Sequence, residues 1–222
     1  LLRIILVRHG QTGWSGDSPG GEHIRDRERF RGQVDVPLNR TGIAQADAVA
    51  DALSRVAIAA VYASPLSRAM DTARPLAARR ALPVEPLDAL LDIDYGCWAG
   101  RSHREVAQAW PEQYRQWRAA PHSLRVPGGE GLEDVQERFS RGLARLLKRH
   151  EREIVLLVGH QVVNKVAICH LLGLDLSAFW RIRQDLACIN RFDLDAGLAT
   201  LLTVNELGHL PTRPREIDEL LA

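Results

Sequence analysis

Arg3-Ile4-Ile5-Leu6-Val7-Arg8-His9-Gly10-Gln11-Thr12 decides how the rest of the chain is read. Ile4 to Val7 is an apolar run long enough for one buried strand and too short for a helix. It ends in Arg8, His9 and Gly10, two nitrogen-rich side chains followed by a residue without a Cβ. In an open parallel sheet, ligands bind just beyond the carboxyl ends of the strands. A strand ending in Arg and His is therefore placed to meet an anion, and Gly10 would let the backbone approach it closely.

Two later segments repeat the pattern. Ile154 to Val158 is the most apolar strand of all and ends in Gly159-His160-Gln161, at the start of a helix whose free N–H groups favour an anion. Ala59 to Ala63 ends in Ser64-Pro65-Leu66-Ser67-Arg68, with Ser64-Pro65 read as a helix cap and Arg68 in the first turn. A cation opposes the macrodipole at that end of a helix, so its position makes sense if it faces a bound anion.

Between these segments, strand-like and helix-like stretches alternate. An Ala-rich helix opens at Arg40 and runs to about Arg55, a second helix runs to about Arg80, and Pro83 to Pro86 is a short strand. Leu132, Val135, Phe139, Leu143, Leu146 and Leu147 recur at three- and four-residue steps, the mark of a core-facing helix. A further helix spans Val162 to Leu172, and Asn190 to Leu194 and Ala199 to Val204 form a closing strand pair. This order predicts an α/β fold with a mostly parallel central sheet covered by helices on both faces. Gly13 to Arg29 has no periodicity and reads as a long loop.

Composition narrows the function classes. The 222 residues are 45% hydrophobic and 26% charged, as in an ordinary globular enzyme. A net charge of +1 points to no nucleic-acid partner, and no apolar run has the length of a membrane span. Cys97, Cys169 and Cys188 are an odd, widely spaced set, which argues against a disulfide framework or a zinc site. The chain enters its first strand without a leader-like segment, so the cytoplasm is the expected compartment.

Arg8-His9-Gly10-Gln11-Thr12, Ser64-Pro65-Leu66-Ser67-Arg68-Ala69, Gly128-Gly129-Glu130 and Gly159-His160, in that order, resemble the histidine phosphatase clan. That clan also contains the cofactor-dependent phosphoglycerate mutases. Asp94 to Gly100, Leu172 to Asp175 and Val204 to Leu210 are similar to segments of the α-ribazole phosphatases and metal-independent phosphoserine phosphatases. The resemblance covers nearly the whole chain. It implies one three-layer α/β domain over residues 1–222, with a helical cap inserted at about 96–127 that includes Trp98, Trp110 and Trp117.

The resemblance implies a metal-independent phosphomonoesterase with no cofactor, acting on a small-molecule phosphate ester. The ester would be of the α-ribazole phosphate, phosphoserine or sugar-phosphate type, and a homodimer is allowed for. His9 is the expected nucleophile, giving a phosphohistidine. Arg8 and Arg68 would hold phosphate oxygens bidentately, and His160 would donate to the equatorial oxygens. Ser15, Arg31, Gly32 and Gln161 are the further substrate-binding residues expected. The family's acid segment has the form L-x-E-I-x-x-G, whereas this chain reads Leu90-Leu91-Asp92-Ile93-Asp94-Tyr95-Gly96. Asp92 thus takes the general-acid position with a side chain one methylene shorter, and Asp94 and Glu130 are substitutes. Ser15 stands where relatives have Asn.

A mutase is the alternative activity, disfavoured by the short stretch from Ala69 to Leu91. A catalytically silent binding module is the alternative class, and it would be expected to have lost His9 or an arginine. The run Arg25, Asp26, Arg27, Glu28, Arg29 reads as a solvated face, and His23 and His122 as surface or core residues, as scattered histidines usually are; of the three, only His209 has a position, in the tail, that resembles relatives.

Overall fold

The computed structural model describes residues 1–15 and 28–211. His23, Arg25, Asp26, Arg27 and most of the Gly13–Arg29 loop lie outside the described residues. Six strands form one sheet: β1 (Leu2–Arg8), β2 (Ile58–Ala63), β3 (Val84–Pro86), β4 (Ile154–Gly159), β5 (Ile189–Asp195) and β6 (Leu198–Glu206). Their spatial order is β3-β2-β4-β1-β5-β6. The first four strands pair in parallel, while β5 and β6 join antiparallel at one side, so the sheet is mixed.

Side chains on a strand alternate between faces, and the core divides accordingly. Ile4 and Leu6 of β1 point to one face with Val155 and Leu157 of β4; Ile5 and Val7 point to the other with Leu156 and Val158. The second face is covered by α1 (Arg40–Ala52) and α2 (Ser67–Arg79), through Val49, Ala50, Ala73 and Leu76. The first is covered by α5 (Leu132–Arg149) and α6 (Gln161–Leu171). Buried Leu132, Val135, Phe139, Leu143 and Leu146 of α5 form the expected stripe. Each such side chain contributes roughly 1.5–3 kcal/mol when fully buried.

Between β3 and α5 lie α3 (His103–Ala109) and α4 (Pro111–Ala119), with short 3-10 turns at Gly96–Trp98 and Pro121–Ser123. Trp98 and Trp117, buried and packed edge to face, anchor this segment on the first face. Its two ends meet where the Cys97 N–H donates to the Pro127 carbonyl at 2.9 Å. Gly96, at φ +45°, is required there because a Cβ would lie 2.4 Å from the backbone of Pro127 and Gly128.

Two local expectations need correction. Ser64-Pro65 does not cap α2: Leu66 is the N-cap and offers no side-chain bond. Ser64 is still held to the sheet by its N–H on the Val158 carbonyl, so the helix turns later. The capping acceptor comes instead from Asp35, which receives the Ser67 N–H at 2.9 Å and its hydroxyl at 2.7 Å. Gly10, read as leaving room for a ligand, leaves room for α1. A Cβ on Gly10 would lie 2.6 Å from the Gly42 carbonyl oxygen.

Candidate active site

The sheet order explains why three distant sequence segments meet. β2, β4 and β1 are adjacent and parallel, with Ala63 opposite Val158 and Val158 opposite Val7. Their carboxyl ends therefore deliver Arg68, His160, Arg8 and His9 to one place. The His9 N–H bonds the Gly159 carbonyl at 3.0 Å, and the His9 and His160 ring centroids lie 5.1 Å apart.

The two histidines hold opposite tautomers. His9 Nδ1 lies 2.6 Å from the Gly10 carbonyl oxygen, which only accepts, so Nδ1 carries the proton and Nε2 a lone pair. His160 Nδ1 lies 3.1 Å from Arg68 Nε, which only donates, so Nδ1 is the acceptor and Nε2 carries the proton. That Nε2 is buried with no hydrogen-bond partner among the described residues. Burial, first, and then the surrounding cations push both imidazoles well below the usual histidine pKa. For His9 the second cause is His160, followed by Arg68, Arg8 and Arg31.

Arg8, His9, Arg31, Asp92 and Gln161 line one cavity of about 220 Å³. Arg8 is anchored by Nη1 on the Gln184 carbonyl at 2.6 Å, and its Nε is unpartnered. Arg31 is held by Nη1 on the hydroxyls of Thr12 and Ser15, at 3.1 and 3.0 Å. Burial lowers the pKa of both arginines. Asp92 Oδ1 is buried without a partner. Desolvation raises this carboxyl's pKa, winning over Arg68, Arg31 and Arg8, which pull the other way.

Arg68, expected as a phosphate fork, makes three bonds within the protein. It is fully buried, with Nη1 on the Val34 carbonyl at 2.8 Å, Nη2 on the Gly32 carbonyl at 2.6 Å and Nε on His160. Burial takes its pKa down to about 10. Gly32 supplies a carbonyl to Arg68 and passes Ile93 closely at φ +50°, where a Cβ would lie 2.5 Å from the Ile93 oxygen. Ser15 bonds Thr12 and Arg31.

The substitute acids are occupied elsewhere. Asp94 Oδ1 accepts the Gly96 N–H at 2.8 Å, while Glu130 accepts the Asp94 N–H and pairs with Arg138. His209 Nε2 donates to the Ala187 carbonyl at 3.0 Å, and His122 lines a separate groove beside α6. Glu28 and Arg29, expected on a solvated face, line the cavity instead. So do Tyr95, beside the acid segment, and residues that no sequence pattern marks: His103, Tyr114 and Arg118 of the cap, with Phe179 and Trp180 from the turn at Leu176–Arg181. No strand-end pattern marks them, because they reach the site only when the cap folds over the sheet. Among the described residues, no group of His, Cys, Asp and Glu is arranged to hold a metal ion. No helix among them is long and apolar enough to cross a membrane.

The profile of the histidine phosphatase superfamily (branch 1) matches residues 4–207. The chain belongs to the histidine phosphatase superfamily. It is 34% identical over 210 residues to phosphoserine phosphatase 1 of Hydrogenobacter thermophilus, covering 95% of each chain. It is 31% identical over 204 residues to the adenosylcobalamin/alpha-ribazole phosphatase of Escherichia coli, covering 92% of this chain and 96% of that one. Among solved structures, Bacillus stearothermophilus YhfR superposes with a TM-score of 0.85 at 28% identity, covering 94% of this chain and 99% of that one. The α/β architecture is thus that of known histidine phosphatases.

Proposed function

We propose that this histidine phosphatase hydrolyses small phosphomonoesters through a phosphohistidine on His9, without a metal ion, with residues 1–222 acting as one unit. The observation that carries this reading is the pair of opposed tautomers: a lone pair on His9 Nε2 and an N–H on His160 Nε2, in a site walled by Arg8 and Arg31.

A phosphate monoester brings negative charge into a cavity already rich in positive charge. Arg8 and Arg31 grip non-bridging oxygens, and Gln161 adds a donor at the head of α6. His9 Nε2 attacks phosphorus as the bond to the leaving oxygen breaks. Charge spreading over the equatorial oxygens is met by the His160 N–H. Asp92, whose carboxyl burial biases toward the protonated form, gives its proton to the leaving oxygen. Water then attacks the phosphohistidine, Asp92 takes back a proton, and inorganic phosphate leaves. Arg68 positions His160, and Ser15 positions Arg31.

The relatives' names indicate phosphoserine and α-ribazole phosphate as the substrates to try first. The test is release of inorganic phosphate from O-phosphoserine, α-ribazole 5′-phosphate and p-nitrophenyl phosphate, each in EDTA. Turnover that survives chelation is expected. No hydrolysis of any ester, or activity abolished by EDTA and restored by magnesium, would refute the proposal.

A further inference from the structure

Lys165 is a buried cation that the reaction above does not use. It lies on α6 four residues beyond Gln161 and three beyond Val162, on the helix face that lines the cavity. The residue is only 4% exposed. Its ammonium sits 4.5 Å from the centroid of the Trp180 ring and 4.8 Å from that of Phe179, both cavity walls. Among the described residues no carboxylate is within ion-pair distance, and no acceptor bonds it.

Aromatic faces attract an ammonium, yet they do not neutralise it. A buried charge without a counterion is costly, and here Arg8 adds repulsion. Burial and Arg8 bring the lysine's pKa down to about 8, which still leaves it mostly charged at neutral pH. A second unpaired cation borders the Trp180 wall of the cavity. Arg118, in the last turn of α4, lines the cavity that Phe179 and Trp180 separate from Lys165, and it makes no hydrogen bond or ion pair with any described residue. Trp180 links the two: its ring lies against Lys165, and its Nε1 donates to the carbonyl of Trp117, the neighbour of Arg118, at 2.9 Å.

In the proposed reaction Arg8 and Arg31 hold the phosphoryl group. The surplus positive charge at the Trp180 wall therefore fits the leaving group. We propose that Lys165 and Arg118 form a second anion subsite, which selects phosphomonoesters whose leaving group carries its own carboxylate or phosphate. The four rotatable bonds of the lysine let its ammonium move from the ring faces to such a group. This inference rests on the phosphatase reading above.

The test uses matched esters on the full chain. O-phosphoserine is compared with O-phosphoethanolamine for the carboxylate, and propane-1,3-diol bisphosphate with its monophosphate for the phosphate. The wild type should prefer the anionic member of at least one pair by about tenfold or more in kcat/KM, and the pair concerned names the anion. Lys165→Met and Arg118→Met should each shrink that ratio severalfold, mainly through KM, while Lys165→Arg should keep most of it. Arg118 is on an exposed helix surface, so its variant remains informative if Lys165→Met fails to fold. A wild-type ratio near one in both pairs, or variants that slow both members alike, would overturn the subsite. If p-nitrophenyl phosphate is hydrolysed normally in that case, the phosphatase reading survives. No turnover of any ester would remove the phosphatase reading and the subsite with it.

Discussion

Arg68 Nε donates a hydrogen bond to His160 Nδ1 at 3.1 Å, and this contact determines which nitrogen of the second histidine carries the proton. The other two nitrogens of Arg68 each donate to a carbonyl, Nη2 to Gly32 and Nη1 to Val34. The arginine is thereby fixed at three points, and through it the imidazole. Arg31, from the turn after the long loop, lines the cavity together with Arg8.

Replacing Arg68 tests that geometry. Arg68→Lys keeps the charge but has no donor placed as Nε is, and its point charge does not reproduce the planar fork. We expect kcat to fall by about 10–100-fold with a smaller change in KM, since removing a transition-state donor acts mainly on the chemical step. A variant that raises KM and spares kcat would instead make Arg68 a direct phosphate ligand.

His9→Ala should abolish turnover and the acid-labile phosphoenzyme, while circular dichroism stays that of the wild type. A covalent nucleophile typically accounts for at least about 10³-fold in rate. Residual activity within about tenfold of wild type, roughly 1.4 kcal/mol of barrier, would rule out His9 as the covalent centre.

Asp92→Asn should slow alkyl esters by about 10²–10⁴-fold, the usual worth of general acid catalysis. The single-turnover burst of nitrophenol from p-nitrophenyl phosphate should be nearly spared, because that leaving group needs little protonation. Equal losses in both assays would point to a structural role for Asp92. Asp92→Glu adds a methylene beside an Oδ1 that has no partner; retained or raised activity would show that the cavity has room for the longer acid.

Acidification gives a prediction about stability. In the unfolded chain His9 and His160 titrate near 6.5, and in the fold burial holds both well below that value. Below the unfolded pKa the unfolded state therefore binds more protons, so stability present above it is lost as pH falls toward the folded values. His160→Gln cannot take up that proton, though its amide can still meet Arg68. Its melting temperature should therefore fall less steeply than the wild type's between about pH 6.5 and 5. Parallel curves would mean that His160 carries its charge in the folded protein.

The sequence by itself determined the strands, the faces they bury and the chemistry at their ends. The continuous apolar runs of β1 and β4, the stripe on α5 and the His- and Arg-bearing strand ends are local patterns, set by period and by the polarity of neighbouring residues. Only the tertiary structure decided how the charged groups divide their work. A guanidinium presents the same fork wherever it stands, so nothing local separates Arg68, bonded to two carbonyls and His160, from Arg31, held on two hydroxyls and lining the cavity. The same holds for Gly10, whose missing Cβ admits α1, and for Asp35, which caps a helix 32 residues away. The cap's His103 and Arg118, and Trp180 of the Leu176–Arg181 turn, were equally silent. Their sequence neighbours carry no phosphate-binding pattern, and they acquire a common purpose only when buried Trp98 and Trp117 dock the cap over the strand ends.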